Sequence, residues 1–371
     1  MLEKAAKIYK KNASLILLLL VLFLSIPPRM WKLTEYPSIV VDEAANLRDI
    51  NRLLTLKTFR PIDFEWGFAQ ATLVHYPAIL LIKLGMQDEF FALRLTSVIL
   101  SVLALIPFFL ILRKYTNLLT SFLTTILFSY SYFFLQFSRV GWTNIHMLTV
   151  SIYILFFVEK AAETKKSVWF ILGGIFSGVL LYMYRAGEII IAASAVYILT
   201  KSVQQKISFK KVCINITLFA GPTVVVGLPW VIKILFSWEQ YTLRERVVSI
   251  FNAPKPYHGL VDITSILFYQ LDTVLMSWVF MLPHQAGGIE SQRYLPLSYT
   301  TISPILILLF FLGIFLAIKS FKNTFNWFII FVLGLLFGQV LSVDPPNGSR
   351  GLILLPIIYF FIGISIFSLY E

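Results

Sequence analysis

The sequence predicts an all-α polytopic integral membrane protein of about ten transmembrane helices, and three observations carry that prediction. The chain of 371 residues is 58% hydrophobic and only 13% charged, where a soluble domain carries roughly a quarter charged residues. Its apolar residues fall in runs long enough to cross a bilayer. Its lysines collect in alternate short loops, as the positive-inside rule requires of one membrane face.

The runs lie at about 14–28, 92–112, 118–137, 144–159, 167–184, 187–200, 212–236, 303–318, 324–342 and 351–369. One face carries Lys4, Lys7, Lys10 and Lys11, then Arg113 and Lys114, then Lys160, Lys165 and Lys166. It continues with Lys201, Lys206, Lys210 and Lys211, and ends with Lys319 and Lys322. The short loops of the other face carry Arg139, Arg185 and Arg350. This asymmetry places both termini in the cytoplasm of a plasma-membrane protein. The long loops 29–91 and 237–302 then face outward, and with them any active site. The first run is followed by Pro27-Pro28-Arg29 and no small-residue cleavage site, so it is expected to stay as a signal anchor. Residues 1–371 are expected to form a single membrane module without a C-terminal soluble domain.

Within the first long loop, Leu47, Ile50, Leu53 and Leu54 recur at helical spacing among Arg48, Asp49, Asn51 and Arg52. That pattern predicts an amphipathic helix along the membrane surface. Residues 68–84, which contain His75-Tyr-Pro77, form a second apolar stretch. Counting it as a span would invert the charge pattern of every later loop, so it is expected to be re-entrant or interfacial. The run 262–282, interrupted by Asp262 and Asp272, is expected to behave likewise, and Pro283–Gly288 to form a loop near the site.

Several function classes are excluded. The net charge of +12 is scattered among the spans, and nucleic-acid binding needs a continuous basic stripe. The lone Cys213 allows no intrachain disulfide. There is no Gly-rich nucleotide cradle, so a soluble nucleotide donor is not indicated. His75, His146, His258 and His284 show no metal-ligand spacing. No cofactor is assigned on that basis, and a divalent metal stays undetermined.

The residues that could carry chemistry begin with Asp42 and Glu43, adjacent carboxylates in the first external loop. An ionised carboxylate there could take the proton of an attacking acceptor. The competing account is that Asp42 is a helix N-cap. Arg139, Arg185 and Arg350 stand on the face where arginine is least expected, joined at span ends by Arg29 and Arg94. Guanidinium groups bind phosphate oxygens in a two-pronged fashion. Alternatively they snorkel or pair with Asp344 or Glu188.

Taken in order, these segments resemble the GT-C superfamily of polyprenyl-phosphate-sugar-dependent glycosyltransferases. The branch is the family 39-like group of protein O-mannosyltransferases and aminoarabinose transferases. Arg29 through Asp42-Glu43 resembles its first-loop acidic motif. His75-Tyr-Pro77 and Phe91-Ala-Leu-Arg94-Leu-Thr-Ser97 resemble its His-Pro-Pro and Ala-x-Arg-Leu-x-Ser segments. Phe137-Ser-Arg139, Gly178 through Tyr182-Met-Tyr184-Arg185, Leu228-Pro-Trp230 and Asn347-Gly-Ser-Arg350 follow the later pattern. The resemblance implies a GT-C-type fold and transfer of a hexosyl or pentosyl group from a lipid-phosphate donor to an extracytoplasmic lipid, glycan or protein of the cell envelope. It implies Asp42 as general base with Glu43 beside it, and Arg139, Arg185 and Arg350 at the donor phosphate. It also makes His75, Tyr184 and Arg94 candidates for substrate contact. Thr143 and Asn144 stand where relatives often carry a second acid. That departure leaves open a non-catalytic glycolipid-binding relative. A lipid-linked sugar flippase is the other alternative, but it would want charges deep within spans or paired broken helices.

Overall fold

The computed structural model describes residues 2–56, 58–66, 70–279, 302–320, 324–343, 345 and 347–371. Among these residues the chain is helical, and its only β pairing is a few isolated bridges. Pro283–Gly288 with His284, and also Lys322 and Asp344, lie outside the described residues.

The helices are α1 (Leu2–Met30), α2 (Val41–Leu56), α3 (Tyr76–Lys83), α4 (Glu89–Tyr115), α5 (Leu118–Ser129), α6 (Tyr132–Ser138), α7 (Asn144–Thr164) and α8 (Ser167–Leu180). They continue as α9 (Glu188–Gln204), α10 (Phe209–Phe236), α11 (Trp238–Val248), α12 (Ile263–Val279), α13 (Pro304–Lys319), α14 (Phe325–Leu335) and α15 (Leu355–Tyr370). Capping residues set the boundaries. The Asp88 carboxylate accepts the Phe91 N–H at 2.9 Å to start α4, and Asn117 accepts the Thr120 N–H at 2.8 Å to start α5. Each satisfies an N–H that the helix leaves unpaired.

All ten apolar runs are helical, but length alone does not support ten crossings. Six described helices are long and apolar enough, and α5 with α6 makes a seventh that is bent by 60° at Tyr130–Ser131. The segments Ser167–Leu180, Pro304–Lys319 and Phe325–Val340 are shorter. A helix of 14 residues such as α8 reaches about 21 Å, against a hydrocarbon core of about 30 Å. The stretches 68–84 and 262–282 form the short apolar helices Thr72–Lys83 and Ile263–Ser277.

α7 and α15 form the middle of the bundle. They are apolar on nearly every side and buried on nearly every side, as a helix surrounded by other helices must be. α1 and α10 keep rows of exposed leucine, isoleucine, valine and phenylalanine, a surface suited to lipid. α8 packs against α10 through glycines. A Cβ on Gly174 would stand 2.2 Å from the Phe219 carbonyl oxygen, and one on Gly178 would stand 2.9 Å from that of Thr223. Small residues four apart let two backbones approach this closely. At one end of the bundle, buried Glu159 of α7 accepts the Tyr115 hydroxyl at 2.8 Å and also meets Lys114 and Tyr197, which locks α4, α7 and α9 together.

Candidate active site

α2 begins at Val41, so Asp42 and Glu43 stand in its first turn, with Asp42 one residue inside the helix start instead of at the cap. The capping contact belongs to Glu43, whose Oε2 accepts the Val40 N–H at 3.1 Å, the acidic half of a capping box. Glu43 is fully buried. Its Oε1 accepts Arg94 Nε at 2.7 Å and the Gly141 N–H at 2.6 Å. Its Oε2 accepts Arg94 Nη2 at 2.7 Å. Arg94 also donates through Nη1 to the Leu33 carbonyl at 2.7 Å. Glu43 and Arg94 therefore join the first loop, α2, α4 and the segment before α7. Asp42 is half-buried on the same turn, at the end of the helix where partial positive charge favours a carboxylate.

The three outer arginines differ in their surroundings. Arg139 donates to the carbonyls of Pro28 at 3.0 Å and Tyr36 at 2.8 Å, and also to that of Trp31, so it holds the turn after α1. Arg185 lies over the Tyr241 ring, 3.4 Å from its centroid, and donates to the Tyr241 carbonyl at 2.6 Å. Arg350 sits on a single helical turn, Gly348–Gly351, capped by the Asn347 side chain. It is buried, and its Nη1 has no hydrogen-bond partner among the described residues. A π-helical turn over Leu336–Val340 presents Gln339, which grips the Asn347 backbone through both N–H and C=O at 2.9 and 2.8 Å. Such turns recur at functional sites.

The structure joins some of the sequence candidates through separate groups of hydrogen bonds. Asn144 donates to the Ser349 carbonyl at 3.1 Å, and the Tyr184 hydroxyl meets the Ser349 hydroxyl at 3.2 Å. Thr143 is bonded to Gln70 at 2.7 Å. Thr143 and Asn144 are therefore two neutral side chains that tie the first loop and the turn before α15 to the start of α7. A groove of about 590 Å³ is lined by Phe59, Arg60, Asp63, Leu73, Val179 and Pro229 among others.

A second group was not visible in the sequence. Asp49, Glu65 and His75 converge so that one ligand atom from each lies within 4.8 Å of the others. His75 is 1% exposed, and neither ring nitrogen has a hydrogen-bond partner. It therefore faces buried carboxylates and not an open substrate surface. Burial first, then His146 and Arg52 nearby, hold its imidazole well down, at about 3. Burial pushes the Asp49 carboxyl up, against a hydrogen bond from Trp66 and the charge of Arg52. The expectation for α2 changes accordingly. Its buried residues are Glu43, Asn46, Asp49, Ile50 and Leu53, so the inward stripe is polar for two turns before it becomes apolar. Three polar residues at three-residue intervals were the signal, but an exposed face gives the same pattern.

Residues 70–232 match the family model described as dolichyl-phosphate-mannose-protein mannosyltransferase. A search of curated proteins by sequence finds no match. The fold is similar to that of ArnT from Cupriavidus metallidurans bound to undecaprenyl phosphate, with a TM-score of 0.62 at 13% identity over 95% of this chain and 59% of that one. It is also similar to the archaeal oligosaccharyltransferase AglB from Archaeoglobus fulgidus, solved with an inhibitory peptide and a dolichol-phosphate. There the TM-score is 0.60 at 14% identity, over 96% of this chain and 50% of that one. The chain thus spans between half and three-fifths of the length of these two proteins. Residues 70–232 therefore carry the mannosyltransferase family pattern, on a fold similar to those of ArnT and AglB.

Proposed function

We propose that this protein transfers a sugar from a polyprenyl-phosphate carrier to an acceptor at the outer membrane face. The single observation that carries the proposal is the clamp under α2. The buried Glu43–Arg94 pair, tied to the Gly141 N–H, fixes the first turn of the helix, on which Asp42 is half-buried. Glu43 then acts as a positioning residue, and Asp42 as the base. An acceptor oxygen or nitrogen attacks the anomeric carbon, and its proton passes to Asp42. The bond from that carbon to the phosphate oxygen breaks, and polyprenyl phosphate leaves with the electron pair. Arg350 is the arginine best suited to meet that phosphate, because its buried Nη1 still has a hydrogen bond to give. The undecaprenyl and dolichol phosphates bound by ArnT and AglB support a donor of this class. The carrier's hydrocarbon chain would follow the apolar groove beside Leu73 and Val179.

A second reading rests on Thr143 and Asn144, whose side chains are held by Gln70 and Ser349. On that reading the chain binds a glycolipid without transferring its sugar. One experiment separates the two. Asp42→Asn, given a defined polyprenyl-phosphate sugar, should keep donor binding and lose roughly 10²–10⁴-fold in transfer, the usual size of a general-base contribution. Full transfer by the variant would remove Asp42 from the mechanism. Donor binding by the wild-type protein with no transfer to any acceptor would favour the second reading.

A further inference from the structure

We infer that the lysine-bearing end of the bundle holds a site for the phosphate of an anionic phospholipid, in a cleft among α7, α8, α9 and α10. The cleft is lined by Lys165, Lys201, Ser202, Gln205 and Asn215, together with buried Phe170 and Ile198. Two helices end at it in the same way. α7 closes on Lys165 and α9 on Lys206, both in the left-handed region with φ of 57° and 53°. The Lys165 N–H is donated to the Ala161 carbonyl at 2.8 Å, and the Ile207 N–H to that of Ser202 at 2.9 Å. The Gln205 side chain donates to the Ala162 carbonyl at 3.2 Å and ties the two turns together. A left-handed cap ordinarily takes glycine, because a Cβ is disfavoured there. Here both places carry a long cation.

Two simpler accounts of these lysines fall short. The positive-inside rule asks for cations in the short loops of one face, and a helix C-terminus favours a cation nearby. Neither explains Asn215. It stands on the second turn of α10, about 9 Å along the axis from Phe209. Its neighbour Ile214 is exposed, on a helix whose outer rows are apolar. That is the depth at which headgroups give way to acyl chains. The Asn215 side chain has no hydrogen-bond partner among the described residues, and an amide unpaired at that depth is costly. A lipid phosphate or ester oxygen accepts its N–H. The nearby carboxylates are already engaged. Glu159 is met by Lys114, Tyr115 and Tyr197, and Glu163 by Lys160. Lys165, Lys206, Lys210 and Lys211 form no ion pair among the described residues. The cleft has about 20 Å³ of room, enough for one water-sized group. One phosphate oxygen therefore enters it, while the rest of the headgroup lies across the exposed lysines and the acyl chains follow the apolar face of α10. A zwitterionic headgroup would bring its own cation against these lysines, so the site selects a headgroup of net negative charge.

The test uses the full chain in detergent, stripped of lipid and then given short-chain phosphatidylglycerol, phosphatidylcholine of the same chain length, or inorganic phosphate. The readouts are lipid per chain by native mass spectrometry and the thermal midpoint. Phosphatidylglycerol should bind at about one per chain and raise the midpoint, because a ligand of the folded state stabilises it. Phosphatidylcholine and inorganic phosphate at the same concentration should do neither. Lys165→Asn and Lys206→Asn should each weaken binding about fivefold, the share of one lysine facing an anionic lipid. Asparagine accepts the left-handed conformation, so both caps survive the change. Asn215→Leu should also weaken binding, while leaving α10 more apolar. Lys319→Gln is the control: Lys319 belongs to the same charged face but lies outside the cleft, and its loss should leave binding unchanged. The inference is overturned if the two lipids bind alike, if inorganic phosphate raises the midpoint as much as phosphatidylglycerol, or if Lys319→Gln weakens binding as much as Lys165→Asn. The comparison of the two lipids on the wild-type protein decides the matter even if a variant does not fold.

Discussion

At the scale of single residues, two adjacent carboxylates have opposite circumstances. Glu43 and Arg94 are both fully buried and joined by two hydrogen bonds. Removing the charge of one partner leaves the other unpaired inside the protein, which costs about 3–5 kcal/mol. Glu43→Gln should therefore lower expression and the thermal midpoint sharply. Asp42→Asn should cost no more than about 1 kcal/mol, the size of a helix-dipole contribution. Equal midpoints for the two variants, measured in the same detergent, would contradict the clamp. Arg350 gives a second expectation. Arg350→Ala should weaken binding of a polyprenyl-phosphate sugar, and Arg350→Lys should restore it in part, because lysine keeps the charge and loses the planar fork. Arg139→Ala should act mainly on stability, since Arg139 holds three carbonyls of the turn after α1. A donor-binding defect confined to Arg139→Ala would reverse those assignments.

At the scale of elements, the helices follow from apolar runs, while their packing follows from a few small residues. Gly174 lets α8 approach α10 so closely that a methyl group would meet backbone and not a movable side chain. Gly174→Ala should therefore destabilise by about 1–3 kcal/mol, the range for overpacking, although alanine is otherwise the better helix former. A thermal midpoint at or above that of the wild type would show that α8 and α10 can separate without loss. α2 teaches the converse. Its apolar residues Leu47, Ile50, Leu53 and Leu54 mark a helix correctly, yet half of its buried face is polar. The reason is physical: Glu43, Asn46 and Asp49 are buried because each finds a partner on another segment, at Arg94, Gly141 and Trp66. Local periodicity holds no information about such partners.

At the scale of the whole molecule, lysine placement predicts which ends face which compartment. Ser38 is exposed in the first loop, Lys255 in the second and Lys206 between α9 and α10. With Cys213→Ser removing the native thiol, Ser38→Cys and Lys255→Cys should react with an impermeant reagent in intact cells. Lys206→Cys should react only after permeabilisation. Labelling of Lys206→Cys in intact cells, with Ser38→Cys protected, would invert the topology. Asp42, Arg139, Arg185 and Arg350 sit in the first turn or at the ends of their helices, where backbone groups and polar side chains can leave the hydrocarbon.

The sequence by itself determined that this is a helical membrane protein. Burial of apolar runs in a bilayer depends only on local composition, and all ten runs are helices. The sequence also marked the mannosyltransferase pattern over residues 70–232 through short motifs. Only the tertiary structure decided that Glu43 is clamped by Arg94 and which arginines are already committed to carbonyls. It also decided that Asp49, Glu65 and His75 stand together. Those outcomes depend on contacts between residues tens of positions apart, such as Glu43 with Arg94 and Gly141. A buried charge is tolerated only where the fold delivers its partner, and no local pattern records where that partner will be.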